Sequence, residues 1–104
     1  MNDRMTTIYN LMILYMINKS LLPLSNTEIM TFFLEYNYTD YFNVQQTIHN
    51  LIDSGNILGI KKGKTTNYYI TNDGKEVLEQ LNIYLPPIII EDINKYIDNV
   101  YKKY

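Results

Sequence analysis

Apolar residues recur along the chain first at helical spacing, then in an extended alternation, then at helical spacing again. Residues 4 to 18 put Ile8, Leu11, Met12, Tyr15 and Met16 on one helical face, which Leu14 and Ile17 widen. So broad a face must be covered by other elements. Leu22-Pro23-Leu24 breaks the period, and Leu24 is expected to form a short strand or a plug under the core. A second helix should start at Ser25 or Asn26, because Glu28 stands three residues after Ser25 as a capping box requires. Ile29, Phe32 and Phe33 then follow at helical spacing. Asn37 suits the left-handed conformation that ends a helix, and Thr39 or Asp40 can cap the next one.

In that third helix Val44, Ile48, Leu51 and Ile52 share one side, while Asn43, Gln46, His49, Asn50 and Asp53 project from the other; Gly55 is the stop signal. Residues 57 to 61 and 65 to 71 then form two expected strands around Lys62-Gly63-Lys64. Alternation sets Tyr68 and Ile70 on one face and Asn67, Tyr69 and Thr71 on the other, with Tyr69 expected to be exposed. Thr71 or Asn72 can cap a fourth helix through Val77, Leu78 and Leu81, stopped by Pro86-Pro87. Ile90, Ile93, Ile97, Val100 and Tyr104 resume the helical period, flanked by Ile89, Tyr96 and Tyr101.

The expected fold class is therefore mainly α with a small antiparallel β-hairpin, an α+β arrangement. Two capped helices across a short turn, followed by a hairpin with a lysine-rich tip, have the order of a winged helix-turn-helix. That domain is expected over residues 1–85, with a C-terminal helix over 86–104 expected to serve dimerisation, the alternative being that it packs on the first helix of its own chain. Expected dimer-interface residues are Ile8, Leu11, Met12 and Tyr15 in the first helix, and Ile90, Ile93, Ile97, Val100 and Tyr104 in the last.

Composition narrows the chemistry. At 104 residues the chain fits one domain. It has eleven tyrosines, no tryptophan and no alanine, and it leans on Asn, Ile, Lys and Tyr, a bias read as A/T-rich coding before it is read as function. The lack of cysteine excludes disulfides, thiolate metal sites and thiol catalysis. The single histidine, His49, cannot by itself build an ordinary zinc site, and no motif places a carboxylate, serine or cysteine with it. Glu76 and Glu79 share a helix face and read as solvated surface. There is no glycine-rich phosphate loop, so no enzyme activity, cofactor or metal is expected. No apolar run is long enough to span a membrane, and the start lacks a secretory layout, so a cytoplasmic protein is expected.

Net charge is −2, with a pI near 5.2, which argues against strong nucleic-acid binding by bulk electrostatics. Charge distribution changes that picture, because Lys61, Lys62 and Lys64 cluster with no acid between Gly55 and Asn72. Asn and Gln side chains match the donor and acceptor edge of adenine in the major groove. The candidate base-reading residues are Asn43, Gln45, Gln46 and Asn50. With no cation on this helix, phosphate contacts fall to Thr39, Tyr41 and Thr47 and to the lysines. The expected function is a double-stranded-DNA-binding transcription regulator acting as a homodimer. The alternative is a winged-helix protein-interaction module that docks a partner through the uncharged helix and Tyr41, Phe42 and Tyr69. No motif identifies an effector; a cavity lined by tyrosine and methionine at the dimer interface is where one would be expected.

Two segments carry a family resemblance: Leu51-Ile52-Asp53-Ser54-Gly55-Asn56-Ile57, and Tyr68-Tyr69-Ile70-Thr71-Asn72-Asp73-Gly74-Lys75. Both resemble bacterial winged-helix regulators of the PadR and MarR type. More narrowly, residues 38 to 46 together with the Leu-Ile-Asp-Ser-Gly segment are similar to an uncharacterised clostridial-type family, domain of unknown function 4364. The resemblance covers roughly residues 8 to 97. It implies the winged fold and, through it, DNA binding, effects that the site itself must support. Members of that family usually continue into a further C-terminal region beyond the point where this sequence stops.

Overall fold

The computed structural model describes residues 3–102, without the side chain of Asp3. Its elements in order are α1 (Asp3–Lys19), β1 (Leu24–Ser25), α2 (Asn26–Glu35), α3 (Tyr41–Asp53), β2 (Ile57–Lys62), β3 (Thr65–Ile70), α4 (Asn72–Leu81), a 3₁₀ turn (Asn82–Tyr84) and α5 (Pro87–Tyr101). The three strands form one antiparallel sheet in the order β1-β3-β2. The chain is thus mainly helical with a small antiparallel sheet, the expected class with one more strand than a bare hairpin. Leu24 supplies that strand, pairing with Tyr68 while its side chain is buried.

Local chemistry sets the boundaries. Ser25 Oγ accepts from Glu28 N at 3.0 Å and Ser25 N donates to Glu28 Oε1 at 2.9 Å, completing the capping box of α2. Asn37, at φ 57°, closes the same helix: its N–H reaches Leu34 O, and Tyr38 N–H reaches Phe33 O. Gly55, at φ 76°, closes α3 in the same way through Ile52 O and Leu51 O. In the hairpin only Gly63 of the two turn residues has positive φ, as a type II′ turn requires. The 3₁₀ turn ends the fourth helical stretch before the prolines, and Pro87 opens α5 instead.

The core is built from the apolar faces of α1, α2, α3 and α5. Met12, Ile13, Leu14, Met16, Ile29, Phe32, Phe33 and Ile93 are fully buried. Five tyrosine hydroxyls tie its rim together. Tyr9 donates to Tyr38 O, Tyr15 to Asn94 Oδ1, Tyr38 to Asp92 Oδ2, Tyr96 to Glu28 O and Tyr101 to Ser20 Oγ. Four of these bonds connect α5 to α1, to α2 or to the segments beside them. Much of the tyrosine content therefore has a structural use, since a ring can fill core volume while its hydroxyl satisfies a polar group at the edge.

This packing revises the expected dimer seam. Leu11, Met12, Ile93, Ile97 and Val100 are buried within the single chain, where α5 lies against α1. Ile8, Tyr15 and Ile90 are half-buried against the same core. Tyr104 lies outside the described residues. The two broad apolar helices cover each other, so α5 is a core element and not a projecting arm.

Buried phenols predict an alkaline response. Burial first, then the charges of Glu28 and Glu35, push Tyr96 from 10.0 up to about 12. Burial, followed by the bond to Asp92 and its charge, pushes Tyr38 up as well. A phenol raised in the folded state contributes its full stabilisation below its ordinary pKa and loses it as pH rises through the folded value. Denaturant midpoints are therefore expected to fall between pH 10 and about 12. Tyr96→Phe should flatten that fall, and urea titrations across this range, followed by circular dichroism, would measure it.

Candidate nucleic-acid interface

Asp40 starts α3 by accepting from Asn43 N at 2.9 Å. Val44, Thr47, Ile48 and Leu51 are its buried side. Anchored so, the helix presents Tyr41, Phe42, Gln46, His49, Asn50, Ile52 and Asp53 to solvent. Asp40 and Asp53 bound a face with no lysine or arginine, and the nearest cations in sequence after it are Lys61, Lys62 and Lys64, all exposed at the far end of the β2–β3 hairpin.

The ten residues expected to meet DNA divide into two groups. Tyr41, Gln46, Asn50, Lys61, Lys62 and Lys64 are exposed. Gln46 Nε2 donates to Asn50 Oδ1 at 3.0 Å, so these two amides are aligned along one ridge of α3. The other four are held by the fold. Thr47 is a correction: it is 5% exposed and its hydroxyl donates to Asn43 O at 2.7 Å, since its position turns it to the core side of the helix. Asn43 donates to Thr39 Oγ1 at 2.8 Å, so this amide and hydroxyl serve the turn before α3. Gln45 exchanges amide bonds with Asn26, donating at 3.0 Å and accepting at 3.4 Å, and Asn26 also donates to Tyr68 Oη at 3.0 Å. This clasp joins α2, α3 and β3, and it sets the angle between the exposed helix face and the hairpin.

Beside the clasp lies a polar cleft of about 380 Å³ bordered by Ser25, Asn26, Thr27, Gln45, Lys64 and Thr65. Asn26, Thr27 and Thr65 were not among the expected contacts. The signal for them was the capping box itself, which marks a helix start whose N–H end faces the same side as the lysine tip. His49 also differs from expectation, because Asp53 at i+4 puts a carboxylate 3.2 Å from Nε2. Both side chains are about two-thirds exposed (67% and 65%), which makes this a solvated surface pair. Tyr69, expected to be exposed, is half-buried, bordering a cleft with Leu21, Leu22 and Pro23. Among the described residues no group of three or more His, Cys, Asp or Glu could hold a metal, and no helix is long and apolar enough to cross a membrane.

A small α+β domain with a polar helix face and a lysine-tipped hairpin is what these residues define. Residues 9–104 match the family described as Domain of unknown function (DUF4364), and the chain belongs to that family. No curated protein and no solved structure matches it.

Proposed function

We propose that the chain is a winged helix-turn-helix DNA-binding regulator, with α3 as the recognition helix and the β2–β3 hairpin as the wing. The observation that carries this reading is the pairing of an exposed amide ridge, Gln46 and Asn50, with three exposed lysines at the tip of the adjacent hairpin. In this reading the amides meet base edges in the major groove while Lys61, Lys62 and Lys64 neutralise phosphates. A face with so few cations binds weakly alone, so the active species is a homodimer whose two wings act together. With the α1–α5 stripe inside the core, the dimer uses what remains outside: Ile83, Tyr84 and Ile88, which are 79%, 61% and 60% exposed, and half-buried Ile8, which borders one cleft with Tyr84.

The test is duplex binding across a salt series by fluorescence anisotropy, with the mass in solution determined alongside. Changing Lys61, Lys62 and Lys64 together to Ala should weaken binding and lower the salt slope by about 0.9 per phosphate contact, or about 2.7 per protomer. An unchanged slope would remove the wing from the interface.

A second reading is favoured by one feature. Phe42 is 80% exposed at the start of α3 and packs edge-to-face on Tyr41 with centroids 5.9 Å apart. An aromatic pair standing in solvent suits a protein-docking surface. Absence of duplex binding at low salt would transfer the assignment to that module.

A further inference from the structure

A cavity of about 330 Å³ lies between α1, the C-terminal end of α3 and α4. Its apolar wall includes Leu11, Leu51 and Leu81, its polar wall Asn10, Asn50 and Asn56, and no charged residue lines it. The volume falls within the range of small-molecule pockets, roughly 300–1,000 Å³. Asn10 supplies the decisive detail: its Oδ1 is buried without a hydrogen-bond partner. Buried acceptors are rarely left so, because losing water without gaining a donor is costly. Nearby, Asn50 uses its Oδ1 to accept from Gln46, and Asn56 uses its Nδ2 to donate to Ser54. The remaining halves of those amides, a donor on Asn50 and an acceptor on Asn56, are left for another molecule.

We propose that this cavity is an effector site for a small uncharged molecule that joins an apolar ring to an amide-like edge, its N–H donating to Asn10 once that side chain turns its buried Oδ1 toward the cavity and its carbonyl accepting from Asn50. The absence of lining charge selects against ionic ligands, which would enter without a counter-charge. Asn50 belongs to both the cavity wall and the outward ridge of α3, so a ligand held by its Nδ2 and Gln46 held by its Oδ1 fix one orientation of the amide between them. Occupancy therefore locks the Gln46–Asn50 pair and with it changes duplex affinity. This coupling rests on the DNA-binding reading; the site does not. It also places the effector away from the tyrosine- and methionine-lined dimer cavity expected from the sequence, because Met12, Met16 and Met30 are packed into the core.

The experiment titrates the 104-residue chain with benzamide, with toluene as the donor-free control, and follows side-chain and backbone amides by NMR. Saturable shifts at Asn10, Asn50 and Asn56 are expected with benzamide, and binding about three- to tenfold weaker in Asn10→Leu. Leu81→Phe, which fills the cavity and leaves Asn10 in place, should also weaken binding, so the test survives if Asn10→Leu fails to fold. No saturable shifts, or shifts that both variants leave intact, would overturn the site. Binding with duplex affinity unmoved would overturn the coupling. Wild-type protein that binds benzamide at these residues but never binds duplex would uphold the site and overturn the DNA reading.

Discussion

Gly74→Ala is expected to be among the most damaging single-methyl changes in this chain, lowering stability by about 3 kcal/mol and the melting temperature by roughly 10–20 °C. A Cβ at this position would stand 2.1 Å from Asn56 O and 2.9 Å from the Ile70 side chain. The first of these is backbone, held in place because Asn56 O accepts from Thr71 N at 3.1 Å. Thr71 also donates from its hydroxyl to Gly55 O at 2.7 Å while accepting from Gly74 N. The turn after α3 and the start of α4 are thus in backbone contact, and no side-chain rotation relieves an added methyl. Gly59→Ala is the internal control. Its Cβ would meet the Tyr68 ring at 3.1 Å, a contact that can give, so a smaller loss of about 1 kcal/mol is expected. Thermal unfolding followed by circular dichroism would compare them, and equal losses would mean that the Asn56–Gly74 approach is not as close as described.

That contact explains why two separated segments read so clearly in the sequence. The segments ending at Asn56-Ile57 and at Gly74-Lys75 touch, and each contains residues with little freedom: Gly55 for a positive φ, Thr71 for a cap, Gly74 for close approach. Such requirements are local, so they show at fixed spacing. The capping box at Ser25, the Asn37 closure and the hairpin turn around Gly63 are legible for the same reason.

The destination of an apolar face is not local. The stripe through Ile93, Ile97 and Val100 has the same period whether it covers α1 of its own chain or of another, and only the three-dimensional path past Pro86-Pro87 sends it back onto α1. The candidate site was legible in part. Helix periodicity located Gln46 and Asn50 on the outer ridge, and the turn signal at Lys62-Gly63-Lys64 located the lysines. Thr47 was misplaced because it sits at the edge of the apolar arc, where a small polar residue can satisfy itself on the preceding turn. The Gln45–Asn26 clasp joins residues nineteen apart in sequence, a pairing that spacing does not announce.

Phe32→Ala should cost about 3–5 kcal/mol, enough to bring a domain with a typical total of about 5–15 kcal/mol close to unfolding. Phe32 is completely buried and forms the hub of an aromatic cluster, with ring centroids 5.5 Å from Phe33, 4.8 Å from Tyr36, 5.6 Å from Tyr38 and 5.4 Å from Tyr96. Two of its neighbours lead to α5: Tyr96 belongs to that helix, and Tyr38 donates to Asp92 within it at 2.6 Å. Removing the ring opens a cavity where α2 meets α5, so the loss should be uneven. Amide hydrogen exchange is expected to accelerate more in α5 than in α3, whose anchors at Asp40 and Gly55 are elsewhere. If α5 kept its wild-type protection in Phe32→Ala, the aromatic cluster would not be what binds it to the domain. The burial of Ile93, Ile97 and Val100 where α5 lies against α1, with the tyrosine bonds to Asn94 and Ser20, would then carry that attachment.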